Sequence, residues 1–127
     1  MLHELKYDGF DITILFTTDS AIRQLNKTFR GKDKATDVLS FPHHPSLKSN
    51  KRIKVVHEDD KALGDIIIAV DYVAKDAPNH GATLQQRIEL LIAHGIAHLL
   101  GHDHIVDSEY RVMRRLEERL LRAARAS

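Results

Sequence analysis

His94-Gly95-Ile96-Ala97-His98-Leu99-Leu100-Gly101-His102-Asp103-His104 is the stretch of this 127-residue chain that carries most of the information about its fold and its chemistry. Two histidines four residues apart on a helix stand on one face, a turn apart, where both imidazoles can reach one ion. Gly101 is expected to end the helix in a sharp turn. That turn would carry His104 back over the pair, giving three nitrogen ligands: His94, His98 and His104. Three protein ligands leave a coordination position for water or substrate, the catalytic pattern for zinc and not the structural one. His102 is the competing third ligand, because it would share the face of His98 if the helix ran through Gly101. Asp103 is either a group that orients a ligand, a general base, or a solvated turn residue. Between 90 and 100 the remaining residues are Leu, Ile, Ala and Gly. Two histidines in so apolar a helix need partners, since buried polar groups are costly when unpaired.

Outward from this segment, Thr83 and Gln86 have capping-box spacing and open the helix. Before it, Ile66, Ile67, Ile68 and Val70 read as a strand covered on both sides. A short helix follows from 71 to 77, broken by Pro78, Asn79 and Gly81. Nearer the start, Ile12, Ile14 and Phe16 alternate as a strand with one buried face. Thr18, Asp19 or Ser20 then caps a helix with Ile22, Leu25 and Phe29 on its apolar stripe, ended by Gly31. Val38-Leu39-Ser40-Phe41 reads as a short strand stopped by Pro42. The polar stretch 43–61 is a long excursion, with an extended piece at 53–56. A last helix, about 108–124, carries Tyr110, Met113, Leu116 and Leu120 on a core-facing stripe. The expectation is one α/β domain over 1–127, a small mixed sheet packed with helices and a metal site on the central helix.

Composition narrows the function. The hydrophobic share is 43% and the charged share 29%, as in ordinary globular proteins. No apolar run is long enough to span a membrane. The opening residues lack the layout of a secretory signal. Zero cysteines exclude disulfides and thiolate ligands. A cytoplasmic location is the default expectation. Net charge is only +1, but residues 23–54 hold nine Lys/Arg against two Asp, a local surplus of seven. Such a split suits one surface built for an anionic partner, or a solvated loop rich in lysine.

The histidine spacing matches the long zinc-protease signature H-E-x-x-H-x-x-G-x-x-H at every histidine and at the glycine. Its second position, the glutamate that serves as base in those proteases, is Gly95 here. Peptide hydrolysis by that route is not expected, whereas hydrolysis of another bond by a metal-activated water stays open.

Three blocks together resemble the YbeY family, metal-dependent endoribonucleases of bacterial rRNA maturation. The family motif H-G-x-L-H-L-x-G-Y-D-H is met by His94, Gly95, His98, Leu99, Gly101, Asp103 and His104. Ala97 stands in place of its leucine and His102 in place of its tyrosine. The run from Phe29-Arg30-Gly31-Lys32-Asp33-Lys34 through Ala35-Thr36-Asp37-Val38-Leu39-Ser40-Phe41-Pro42 is close to Y-R-G-x-D-x-P-T-D-V-L-S-F-P. Leu63-Gly64-Asp65-Ile66 is the third block. The resemblance implies an α/β fold with a small mixed sheet akin to zincin proteases, and a zinc held by the three motif histidines. It also implies cleavage of single-stranded RNA, maturation of the small-subunit rRNA 3′ end, ribosome quality control and contact with the small ribosomal subunit. N-terminal structure found in longer relatives is expected to be absent.

The family's functional arginine maps onto Arg30, which would grip a phosphate with forked hydrogen bonds. Its alternative role is a C-terminal helix cation. Lys32 and Lys34 are candidates for steering an RNA backbone, or ordinary surface lysines. Thr36 and Asp37 are expected to shape the turn into the strand. Asp65 either orients a ligand or ends a strand pair. Two other readings remain, a metal-dependent peptidase and a non-catalytic ribosome-binding factor with a structural metal.

Overall fold

Residues 7, 9–45, 47, 52–101 and 120–121 are described by a computed structural model of the chain. Three strands form one mixed sheet: β1 (Asp11–Thr17), β2 (Val38–Pro42) and β3 (Ala62–Ala69), in the order β1-β3-β2. β1 runs parallel to β3, with Ile14 opposite Ile66 and Phe16 opposite Ile68. β2 runs antiparallel, with Val38 opposite Ile68 and Ser40 opposite Ile66. The α/β architecture and the mixed sheet agree with the sequence expectation.

Side chains alternate across a strand, so β3 serves two layers. Ile66 and Ile68 are fully buried on one face, in the main core with Leu91, Ile96 and Leu99 of α3 (Leu84–Leu99). Ile67 and Ala69 point the other way, packing with Ile22 and Leu25 of α1 (Asp19–Arg30) and with Leu39. This is the strand covered on both sides that its unbroken apolar run implied.

Thr18 caps α1, its hydroxyl accepting from the Ala21 N–H at 3.2 Å. Gly31 closes α1 at φ 70, as expected. Thr83 and Gln86 form the anticipated capping box of α3, with reciprocal bonds of 3.1 and 2.9 Å. The short helix α2 (Val70–Asp76) starts one residue early and continues as a 3₁₀ turn (Ala77–His80), into which Pro78 fits because its position needs no donor.

Two expectations need correction. β1 is a strand, but its alternation does not mark a covered face: Ile12 packs against the core while Ile14 and Phe16 are exposed. Among the described residues β1 is an outer strand, and a layer over the central β3 need not extend over its neighbour. Phe29, assigned to the apolar stripe of α1, is 58% exposed while Ile22 is fully buried. Among the described residues of the excursion 43–61, the stretch 53–56 pairs with no strand, and a 3₁₀ turn spans Glu58–Lys61. The final helix lies outside the described residues except at Leu120 and Leu121, which are helical, with Leu120 buried.

Candidate metal centre and RNA-facing cleft

The bed for the histidine helix is the block Leu63-Gly64-Asp65-Ile66. Between Asp11 and Ile12 the pairing of β1 with β3 shifts, so Leu63 is an extra residue on β3 and is fully buried. Gly64 follows at φ 138, and a Cβ there would fall 2.2 Å from the Phe41 carbonyl oxygen and 2.9 Å from Leu99 Cδ2. Glycine is therefore required where β2, β3 and α3 converge. A second close approach lies at Gly95, where a Cβ would stand 2.7 Å from Ile66 Cδ1 and 3.0 Å from its Cγ1. Two of the sequence blocks thus meet physically, Gly64 against Leu99 and Ile66 against Gly95. Asp65 lies on the opposite strand face from Ile66 and is exposed, so it does not face α3.

On α3 the imidazoles of His94 and His98 stand together. Their Nε2 atoms are 2.8 Å apart, with ring centroids 4.4 Å apart and planes at 78°. Both are half-buried and open into a cleft of about 350 Å³, whose walls also include Arg30, Val38, Ser40 and Pro42. α3 ends at Leu99 and Gly101 takes φ 89, so the chain leaves the helix where a turn was expected. His102, Asp103 and His104 lie outside the described residues. Among the described residues no group of three His, Cys, Asp or Glu could hold an ion.

The described pair nonetheless fits a metal's demands. Two imidazole nitrogens bound to one zinc at about 2.0–2.1 Å in tetrahedral geometry stand roughly 3.4 Å apart. The pair needs to open by little more than half an ångström to reach that spacing. Imidazole donors suit zinc, nickel, copper and iron.

Arg30 comes from the other side of the sheet. It is the last residue of α1, and its guanidinium reaches round to donate to the Ser40 carbonyl at 2.8 Å while lying 5.0 Å over the Phe41 ring. This brings it to the cleft of His94 and His98, although Arg30 lies more than sixty positions before either of them in the sequence. Lys32 and Lys34 are exposed and do not line this cleft. Lys34 borders a separate groove with Arg23, Lys27 and Asp33, and Arg23 is paired with Asp33 at 2.9 Å.

The loop between Arg30 and β2 is held by residues serving structure. Asn26, buried in α1, donates to the Lys34 carbonyl at 2.9 Å. Asp37 accepts from the Val38 N–H at 2.8 Å and from Thr36, and Arg87 of α3 approaches it at 3.7 Å. Thr36 and Asp37 shape the turn, as expected. Asn26 and Arg87 were missed. A buried Asn on an apolar stripe is the one signal that could have exposed Asn26.

A family model described as Endoribonuclease YbeY matches residues 1–125. The chain belongs to the YbeY family. It is 39% identical over 121 residues to the Endoribonuclease YbeY of Caldicellulosiruptor bescii, covering 94% of this chain and 76% of that one. It is 37% identical to that of Thermus thermophilus, covering 95% and 81%. The Myxococcus xanthus YbeY is 40% identical over 120 residues, and this chain spans 38% of its length. The fold of the present chain resembles the solution structure of a Thermotoga maritima protein, with a TM-score of 0.56 and 23% identity over 97% of this chain and 77% of that one.

Proposed function

We propose that this YbeY-family chain is a metal-dependent endoribonuclease that hydrolyses phosphodiester bonds of single-stranded RNA. The observation that carries this reading is the meeting of Arg30 with His94 and His98 in one cleft. An ion at His94, His98 and His104 would supply Lewis acidity and an activated water near neutral pH. The chain's own residues do the rest. Arg30 presents a planar, permanently charged fork to a phosphate and offsets the charge that develops on its oxygens. The Ser40 carbonyl and the Phe41 ring hold that guanidinium at the cleft. The apolar wall at Val38 and Pro42 limits water around the reacting phosphate.

A peptidase is the weaker reading for two physical reasons. The base position of the zinc-protease signature is Gly95, whose missing Cβ faces Ile66 and leaves no room for a glutamate. A peptide laid along the edge of β2 would use exposed backbone groups such as the Ser40 carbonyl, which Arg30 already occupies. Small-subunit rRNA and the small ribosomal subunit are the partners that the family and the basic segment 23–54 favour. Among the described residues no helix is long and apolar enough to cross a membrane.

Cleavage of a single-stranded RNA with and without chelator tests the proposal. Chelator should abolish cutting and added zinc restore it; chelator-insensitive cutting, or none at adequate protein concentration, overturns it. Arg30→Ala should lower cleavage at least about a hundredfold, the scale of one transition-state charge contact, while metal content stays intact.

A further inference from the structure

Phe29 sits on a helical stripe whose other members pack inward, yet it is 58% exposed. It is not loosely held. Its ring meets Phe41 edge to face, centroids 5.3 Å apart and planes at 74°. Arg30, the next residue, covers Phe41 from 5.0 Å and reaches the cleft of the histidine pair. Phe29, Phe41 and Arg30 thus form one continuous aromatic and cationic surface that runs from open solvent to the cleft. Phe41 belongs to β2 and points to the α1 side, opposite to its neighbours Ser40 and Pro42, which are cleft walls; Arg30 links the two faces.

From this arrangement we infer that Phe29 is a stacking platform for a nucleobase of single-stranded RNA, beside the phosphate held at Arg30. The inference rests on the RNA-cleaving reading above. A fixed aromatic face beside a cation is the chemistry that binds unstacked bases without regard to their identity. It also supplies a reason for single-strand preference: bases within a duplex are already stacked and present no face, whereas a base in a single strand can splay onto the ring. Continuity with Arg30 singles out a nucleobase as occupant, because Arg30 covers Phe41, and the base next to a phosphate gripped at Arg30 is the group of the RNA best placed to meet these rings.

The test is binding and cleavage of two short single-stranded RNAs, one normal and one with an abasic position next to the scissile phosphate. Binding is read by fluorescence anisotropy on chelator-treated protein, so that it does not depend on turnover. Phe29→Leu keeps apolar packing against Phe41 but removes the π-face, and Phe29→Tyr keeps both. Phe29→Leu should bind the normal RNA about 5- to 100-fold more weakly. It should also raise KM with little change in kcat, and lose nothing further on the abasic RNA. Phe29→Tyr should restore wild-type binding. Equal binding of both RNAs by wild type, or wild-type affinity in Phe29→Leu, overturns the platform. If wild type cleaves RNA while these results appear, the platform alone fails; if wild type neither binds nor cleaves, the RNA reading fails with it.

Discussion

At the residue scale, Gly95 is where sequence and structure inform each other most. The sequence says only that a protease base is missing. The structure adds that the position cannot take one, since even a Cβ meets three atoms of Ile66, a residue with no exposed surface into which it could turn. Replacing a helical glycine by alanine ordinarily gains about 1 kcal/mol. Overpacking a full core costs about 1–3 kcal/mol, so Gly95→Ala should be net destabilising. A double-mutant cycle in denaturant separates the terms: Ile66→Val removes the nearest methyl, and the double variant should be more stable than the two single costs add up to. Strict additivity would mean that the contact is not what fixes the glycine. Asn26 makes a second case. Asn26→Ala strands the Lys34 carbonyl and should cost about 1–3 kcal/mol; its place on the stripe of Ile22 and Phe29 is the only sequence sign that sets it apart from a solvated helix residue.

Legibility varied among the elements for physical reasons. α3 was readable from Thr83 to Gly101 because its signals are local: a capping box, an apolar run and a turn glycine each act within a few residues. Thr83→Ala should therefore lower stability by about 0.5–2 kcal/mol in urea unfolding, with the histidine pair retained. β3 was readable because burial on both faces leaves an unbroken apolar run. β1 was only half readable. Alternation reports that a strand has two unlike faces, while which face is covered depends on strand order, and Ile14 and Phe16 belong to an outer strand. Phe29 escaped for a related reason: helical spacing predicts a common face, not how far the neighbouring layer reaches. The 3₁₀ turn at Glu58–Lys61 has a recognisable cause only in the structure, where the Asp60 carboxylate accepts the N–H groups of His57 and Val56 at 2.9 and 2.8 Å. Those bonds hold the Asp60 carboxyl below its ordinary value.

For the whole molecule, the site depends on convergence of distant segments. Ligand spacing within α3 was legible in sequence; the approach of Arg30 from the far side of the sheet was suggested only by family resemblance, because strand order decides it. The uneven charge also acts at this scale. If the segment 23–54 faces RNA, affinity should fall linearly in log–log form as salt rises, and removing a lysine that contacts phosphate should lessen the slope by about 0.7 for a single strand. Lys32→Ala and Lys34→Ala, measured by anisotropy at several salt concentrations, would show which lysine touches RNA; an unchanged slope marks a lysine that does not. The central claim is that His94, His98 and His104 hold one catalytic ion at the cleft that Arg30 guards. Its most direct test is metal content per chain, measured on zinc-loaded wild type beside His98→Ala, His102→Ala and His104→Ala. The account predicts about one ion in wild type and in His102→Ala, with loss in the other two; full occupancy in His98→Ala, or loss in His102→Ala with retention in His104→Ala, would contradict it.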